Sequence, residues 1–185
     1  MVDTVKNDAS EKMEKSLEAL KTHFKKIRTG RASVDMLDGL KVNYYGTPTP
    51  LSQVGNVSTP DAKTIVIQPW EKTLIGEIEK AILASNLGMT PQNDGNVVRL
   101  NVPAITEERR KELAKECKSV SEDIKVAIRN IRKDCNEHVK KAEKAKELSE
   151  DLSKDAQDAI QKITDTYIAK VDELLVVKEK EVLNG

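Results

Sequence analysis

The longest stretch without a helix-breaking residue constrains this sequence most, because neither glycine nor proline occurs from Ala104 to Asn184. Within it, apolar or small residues recur every three or four positions, first from Leu113 to His138 and then from Ala156 to Leu174. That spacing places them on one face of an α-helix. Acidic residues follow Thr106 and Ser149, as they commonly do at helix starts. The stretch therefore predicts two long helices, one beginning near Thr106 and the other near Ser149.

The first thirty residues predict a third helix of the same kind. Its apolar residues are spaced alternately by four and three positions, and they are Met13, Leu17, Leu20, Phe24 and Ile27. Gly30 follows the last of them, where helices often end. Three helices with one apolar face each, in a near-heptad rhythm, predict a three-helix bundle.

Residues 32–105 have a different character, because most of the glycines and all of the prolines fall there. Short β-type runs lie between them, at Leu40 to Tyr45, Lys63 to Gln68 and Asn96 to Val102. One amphipathic segment, Glu71 to Ser85, predicts a helix among the strands. The Gly46-Thr-Pro-Thr-Pro50 stretch is predicted as a turn and not as a strand.

The order of these segments predicts an α+β fold in which a small β/α/β domain is inserted into an elongated three-helix bundle, giving an L-shaped molecule. Residues 1–30 and 106–185 would form the bundle, and residues 31–105 the inserted domain. The chain would cross between the domains twice, and two adjacent crossings make a plausible hinge. The predicted hinge residues are Gly30, Arg31, Ala32, Pro103, Ala104 and Ile105.

Composition and motifs argue against several functional classes. Charged residues make up 34% of the chain, aromatic residues 3%, and the formal net charge is zero. Cys117 and Cys135 form no CxxC pair, so neither a zinc site nor a disulfide framework is indicated. No Walker loop, GxSxG, HExxH or GxGxxG motif is present. No apolar run approaches the length of a membrane span, and the N-terminus is polar. We therefore expect a cytoplasmic protein that is not an enzyme and needs neither cofactor nor metal.

A basic cluster on the predicted second helix is the strongest candidate for a binding surface. It consists of Lys125, Arg129, Arg132 and Lys133, which lie off the apolar stripe, and Asp134 is the one acid between Lys125 and Cys135. Arginines three apart on a rigid helix project together and grip phosphate through two hydrogen bonds. Few aromatics are available to stack on bases, so recognition of RNA backbone and shape is the functional interpretation. By pattern alone, a solvated helix face remains the simpler interpretation.

Further basic residues strengthen the RNA interpretation. Arg28 and Arg31 lie near the end of the first helix, and Arg110 lies at the start of the second. The net charge is +3 over residues 1–31 and +4 over residues 106–146, against −5 over residues 147–185. An RNA-binding surface would therefore fall on the first and second helices.

Several ordered motifs closely resemble those of the bacterial ribosome recycling factor family. They are Lys26-Ile-Arg-Thr-Gly-Arg-Ala32, Tyr44-Tyr-Gly-Thr-Pro-Thr-Pro-Leu51, Glu77-Ile-Glu-Lys-Ala-Ile82, Ser85-Asn-Leu-Gly88, Leu100-Asn-Val-Pro-Ala-Ile-Thr-Glu-Glu-Arg-Arg-Lys111 and Val126-Ala-Ile-Arg-Asn-Ile-Arg-Lys-Asp134. The resemblance extends from the first helix to the C-terminus without a large gap. It implies a three-helix bundle with an inserted β/α/β domain, joined by two hinge segments.

The resemblance also implies a function in translation. Such a factor binds the ribosome after termination, in the intersubunit space, and separates the subunits from mRNA together with elongation factor G, whose GTP hydrolysis drives the step. By position in the motifs, Arg132 resembles the family's principal rRNA-contacting arginine, with Arg129 beside it and with Arg28, Arg31 and Arg110 as further basic contacts. The inserted domain would face elongation factor G, and the factor would be a monomer.

This sequence departs from the family pattern at three positions. Ala104 follows Pro103 where many members have two prolines, which leaves the stiffness of the hinge less certain. Lys133 stands where some members carry arginine, and Cys135 where alanine is common. The rival hypothesis from another class is a structural coiled-coil adaptor or chaperone, which predicts homo-oligomers and an exposed apolar stripe.

Overall fold

The structure is a computed structural model that describes residues 1–184. Gly185, the last residue of the predicted bundle segment, lies outside the described residues. Four α-helices and six β-strands follow one another along the chain, with short 3-10 turns between them. In chain order they are α1 Val2–Lys26, β1 Lys41–Tyr44, β2 Thr47–Pro50, β3 Gly55–Asp61, β4 Thr64–Pro69, α2 Ile75–Ala84, β5 Pro91–Asn93, β6 Val98–Asn101, α3 Glu107–Lys144 and α4 Glu150–Asn184.

The chain divides into two compact units. Unit 1 contains Met1–Ile27 and Glu108–Asn184, and unit 2 contains Arg28–Glu107. Helices α1, α3 and α4 make up unit 1, while α2 and all six strands lie in unit 2. The fold class is therefore the predicted one: a long helical bundle with a small domain of strands and one helix.

The three helices of unit 1 bury one apolar face each, as their sequence periodicity predicts. All five core residues predicted for the first helix are buried, although Ile27 lies just past the end of α1, and Val5 and Ala9 extend the buried face towards the N-terminus. Val5 and Ala9 pack in one cluster with Cys135 of α3 and Ile160 of α4, so all three helices contribute to this part of the core. Small residues at Ala9 and Ala156, both fully buried, allow α1 and α4 to approach closely.

The ends of the bundle helices follow from local chemistry. Ile27 leaves the helical conformation with φ −76° and ψ 118°, so α1 ends at Lys26. Between α3 and α4, Lys146 adopts a positive φ of 58°, which reverses the chain. The hydroxyl of Ser149 then accepts a hydrogen bond from the backbone N–H of Leu152 and caps α4. The predicted start of the third helix near Ser149 is thus confirmed.

The predicted apolar stripe of α3 is partly wrong, since Leu113, Cys117 and Cys135 are buried but Val120 and Ala127 are only half-buried. His138 was expected to continue the stripe, but it is exposed, and Val139 and Ala142 are buried instead. Ser121 is also fully buried in this helix. Buried residues recur at intervals of seven at Ser121, Ile128, Cys135 and Ala142, so the stripe keeps a heptad repeat. It lies one position beyond the predicted Val120, Ala127 and His138 because packing against the other helices sets which side of α3 is buried.

Unit 2 has its own core. Strands β1 and β2 form a two-stranded sheet, and a four-stranded antiparallel sheet has the order β3-β4-β6-β5. Alternate residues of β4 and β6 point inward, among them Ile65, Ile67, Val98 and Leu100, all fully buried. The apolar face of α2 packs on the same cluster through residues such as Ile78.

The prediction that residues 46–50 form only a turn is wrong, because Thr47–Pro50 is strand β2 and pairs with β1. Only Tyr45 and Gly46 form the turn, with φ values of 48° and 84°. Pro48 and Pro50 occupy alternate positions, so they remove N–H donors from one side of the strand only. An edge strand tolerates this, since its second side has no partner strand. The strands β3 and β5 were not predicted.

The predicted hinge residues all lie in the segments that lead into and out of unit 2. Gly30 has φ +77°, and a Cβ there would lie 3.0 Å from Cγ1 of Ile105. The N–H of Ala32 donates to the carbonyl of Ala62 over 2.7 Å, and that of Val102 donates to the carbonyl of Lys63 over 2.8 Å. Both segments are thereby attached to the turn between β3 and β4. Within residues 1–184, none of the helices is long and apolar enough to cross a membrane.

Candidate nucleic-acid interface

One face of α3 exposes two of the predicted cationic side chains to solvent. Val126, Arg129, Asn130 and Lys133 are all exposed, and each lies three or four residues from two others of the set. They therefore form a single row along the helix, which we call the α3 outer row. Among residues 1–184, no ion pair or hydrogen bond occupies the side chain of Arg129 or Lys133. Both charges are thus available to an anionic partner.

Arg132 lies at the edge of this row and leans towards α4, which the sequence did not predict. Its side chain is half-buried, and its Nη1 donates a hydrogen bond to Oε1 of Gln161 over 3.0 Å. The Nε2 of Gln161 in turn donates to Oδ1 of Asp165 over 2.8 Å. The expectation that Arg132 projects outward together with Arg129 is therefore only partly correct, since Arg132 is held by the neighbouring helix.

The expectation that Lys125 lies on the outward side, with poor local neutralisation, is wrong. Its side chain is only 13% exposed, and its ammonium forms an ion pair with Asp172 of α4. Glu122 lies 3.4 Å away on its own helix. The hydrogen bond to Asp172 raises the pKa of Lys125 above its ordinary value, with Glu122 adding to the effect. A count of acids along α3 could not reveal this partner, because Asp172 belongs to another helix.

The other predicted contacts are divided between the two units. In unit 1, half-buried Arg110 donates from Nη1 to the carbonyl of Leu183 over 3.3 Å, so it is attached to the end of α4. In unit 2, exposed Arg28 donates from Nη1 to the carbonyl of Leu87 over 2.7 Å. Arg31 is exposed, with no side-chain partner among residues 1–184. Of the seven predicted residues, the structure brings Arg129, Arg132 and Lys133 together on one helix surface.

Unit 2 carries an aromatic surface that sequence reasoning did not single out. Tyr45 and Trp70 are 76% and 69% exposed. The hydroxyls of Tyr44 and Tyr45 donate to the two carboxylate oxygens of Glu71, over 3.2 and 2.9 Å. These hydrogen bonds, with the nearby negative charge, raise the pKa of both tyrosines. The signal was available in the sequence, since two of the three tyrosines are adjacent at a predicted turn.

The chemistry of the remaining side chains offers no reactive centre in the described part of the chain. No group of three or more His, Cys, Asp or Glu residues within 1–184 is arranged to hold a metal ion. Cys117 and Cys135 are buried free thiols, and burial raises the pKa of each above its ordinary value. A protonated, inaccessible thiol is a poor nucleophile. The cationic surface of α3 is accordingly the strongest candidate site.

Comparison with known proteins gives one consistent result over the whole chain. The sequence model of the family described as ribosome recycling factor matches residues 20–183. The ribosome-recycling factor of Nitratidesulfovibrio vulgaris is 52% identical over 183 residues, which cover 99% of this chain and 98% of the relative. That of Bdellovibrio bacteriovorus is 56% identical over 179 residues, covering 97% and 96%.

Solved structures lead to the same family. A solution structure of the ribosome recycling factor is 36% identical and superposes with a TM-score of 0.80, covering 100% of this chain and 98% of the other. A second match, 44% identical with a TM-score of 0.66, covers 99% of both chains. It is the T. thermophilus ribosome recycling factor, in a structure that also contains E. coli elongation factor G bound to the E. coli post-termination complex.

Proposed function

Because this chain belongs to the ribosome recycling factor family, we propose that it is a translation factor that releases ribosomes from mRNA after termination. Together with elongation factor G and GTP it splits the post-termination complex into subunits. It acts in the cytoplasm, as a monomer, in the intersubunit space of the ribosome. The rival hypothesis of a coiled-coil adaptor or chaperone is not favoured, because the family match covers residues 20–183 and thus spans both units.

One observation supports this function above the others. The T. thermophilus relative, which this chain matches over 99% of its length, is described in models together with E. coli elongation factor G bound to the E. coli post-termination complex. A shared fold alone would not transfer a function. Here the fold, the ordered motifs and 44% identity occur together over both units.

The cationic surface of unit 1 supplies the grip on the large ribosomal subunit. In this proposal Arg129, Arg132 and Lys133 bind phosphates of the rRNA, because arginine pairs with phosphate through two hydrogen bonds and lysine acts as a point charge. Arg110, Arg28 and Arg31 add further contacts. Lys125 is left out of the set, since its charge is already paired with Asp172.

The long helices suit the transmission of force. Helix α3 has 38 residues and contains neither glycine nor proline, so it is about 57 Å long at a rise of ~1.5 Å per residue. We propose that elongation factor G acts on unit 2 and that the bundle transmits the movement to the contacts between the subunits. Segments 30–32 and 103–105 serve as the hinge. GTP hydrolysis belongs to elongation factor G, so this chain needs no catalytic group, cofactor or metal and is not an enzyme.

The direct test is the breakdown of polysomes by purified components. Polysomes treated with puromycin, elongation factor G and GTP should convert to subunits and monosomes when this protein is added, and should persist without it. Omitting elongation factor G while keeping this protein serves as the matched control. Persistence of the polysomes with all components present, and with the protein folded, would contradict the proposed function.

A further inference from the structure

We propose that Gln161 of α4 is a positioning residue that holds the guanidinium of Arg132 for its contact with rRNA without neutralising its charge. The proposal rests on the proposed function, because it assigns a role to a neighbour of an rRNA-contacting residue. No sequence motif or charge pattern pointed to Gln161. It emerges only from the side-chain contacts between α3 and α4.

The geometry fixes the direction of both hydrogen bonds. A guanidinium can only donate, so the amide of Gln161 must present its oxygen to Arg132, as it does over 3.0 Å. The amide nitrogen then faces the opposite way and donates to Asp165 over 2.8 Å. Asp165 lies four residues along the same helix as Gln161, which keeps the amide in this orientation. The three side chains form one directed chain from α4 to α3.

The neutral amide matters because of what surrounds it. Asp158, Asp165 and Asp172 repeat every seven residues along one side of α4. Asp172 pairs directly with Lys125 and neutralises it. Gln161 lies in the same row between Asp158 and Asp165, but it meets Arg132 with an uncharged oxygen. The contact of Arg132 with Gln161 therefore keeps a net positive charge, whereas the charge of Lys125 is balanced by that of Asp172.

The arrangement also leaves donors of Arg132 available. A guanidinium carries five N–H donors, and the described contact uses one of them. An anchored guanidinium meets a phosphate with less loss of side-chain freedom than a mobile one, since immobilising a long side chain weakens binding by about 2- to 10-fold. Preorganisation of this kind contributes to affinity without adding a contact of its own.

Two substitutions separate orientation from charge. Gln161→Leu removes the anchor and should weaken binding to vacant large ribosomal subunits by about 2- to 10-fold, with an unchanged dependence of log Kd on log salt. Gln161→Glu keeps the anchor but places a carboxylate against Arg132. It should weaken binding at least as much, and it should reduce the salt slope by about one unit, because one phosphate contact is lost. Leucine and glutamate are both good helix formers, so α4 should persist.

The matched control adds the same charge one turn away. This control is Gln157→Glu. Gln157 also lies on α4, but its side chain donates a hydrogen bond to Ser153 of the same helix and not to a residue of α3. If Gln157→Glu weakened binding and lowered the salt slope as much as Gln161→Glu, general electrostatics would explain the effect and the positioning role would be overturned. Unchanged binding of Gln157→Glu supports the proposal.

The experiment is completed by combining each Gln161 variant with Arg132→Ala and measuring the full-length protein against large subunits at several salt concentrations. If Gln161 acts through Arg132, neither Gln161 substitution should change affinity further in the Arg132→Ala background. Full additivity would overturn the proposal, as would normal affinity of both single Gln161 variants. Polysome breakdown by the unsubstituted protein is scored in parallel. Its failure would refute the proposed function itself, whereas failure of the Gln161 effects alone would not.

Discussion

Replacing Lys125 with methionine distinguishes a lysine that ties two helices together from one that is free to bind RNA. The ammonium of Lys125 pairs with Asp172 across the interface of α3 and α4, whereas Lys133 on the α3 outer row has no such partner among residues 1–184. Methionine keeps most of the apolar stem and removes only the charge. Lys133→Met is the matched control, because it makes the same chemical change on the same helix.

The expected loss of stability follows from the exposure of the partners. Asp172 is 52% exposed and Glu122 61% exposed, so both carboxylates recover hydration when the ammonium is removed. The cost is therefore close to that of solvent-screened pairs, about 1 kcal/mol in the free energy of unfolding, and not the 3–5 kcal/mol of a fully buried pair. Lys133→Met should stay within about 0.5 kcal/mol of the unsubstituted protein.

Urea unfolding followed by circular dichroism at 222 nm measures the difference, since most helical residues belong to unit 1. Because the folded-state pKa of Lys125 is raised, its contribution should be complete below the unfolded pKa of about 10.4 and should disappear as the pH rises through the higher folded value. Binding to large subunits should show the opposite pattern. Lys133→Met should lower the dependence of log Kd on log salt by about one unit, and Lys125→Met should leave it unchanged. A lowered slope for Lys125→Met with unchanged stability would refute this assignment.

Three further predictions concern packing and titration. Gly88→Ala should lower the free energy of unfolding by about 1–2 kcal/mol, because the glycine has a positive φ. Gly30→Ala should lower it further, because Gly30 also has a positive φ and a Cβ there would meet Ile105. Urea unfolding followed by the fluorescence of the single tryptophan measures both. Glu71→Gln should lower the pKa values of Tyr44 and Tyr45, so that both tyrosines ionise at a lower pH when absorbance at 295 nm is followed. In the unsubstituted protein their hydrogen bonds to Glu71 stabilise the fold below the ordinary tyrosine pKa, and this stabilisation is lost as the pH rises through the raised pKa values. An unchanged titration would contradict the assignment. Ile128→Ala, at a fully buried position, should cost about 2–5 kcal/mol in the same unfolding assay by circular dichroism.

The periodicity of apolar residues predicted the helices correctly, because a helix with one apolar face is stable in a bundle only when that face is buried against the other helices. Every core residue predicted for the first helix is buried, and α4 begins beside the hydroxyl of Ser149, as predicted. The strand β2 was missed because two prolines in five residues indicate a turn, and only pairing with β1 turns them into an edge strand. His138 is exposed because the buried stripe of α3 lies one position further along, at Val139, and packing against the other helices sets which side of α3 is buried.

The sequence predicted the exposure of those candidate-site residues whose surroundings are set by α3 alone. Arg129 and Lys133 are exposed as their positions off the apolar stripe implied. The state of Arg132 and Lys125 depends on α4, and a sequence does not state which residue of one helix meets which residue of another. The contact of Gln161 with Arg132 could not be predicted for the same reason, since nothing in the sequence around a glutamine on a charged helix indicates its partner on another helix.

We propose above that this protein splits post-termination ribosomes and that it binds rRNA through the basic surface of α3. Subunit splitting followed by light scattering tests both most directly. Splitting with elongation factor G and GTP is measured over a range of concentrations of the unsubstituted protein and of the Arg129→Ala/Arg132→Ala double variant. We predict that the double variant, folded as judged by circular dichroism, splits ribosomes only at much higher concentration, because removal of two phosphate contacts weakens binding. Equal activity of the two proteins at limiting concentration would contradict the claim.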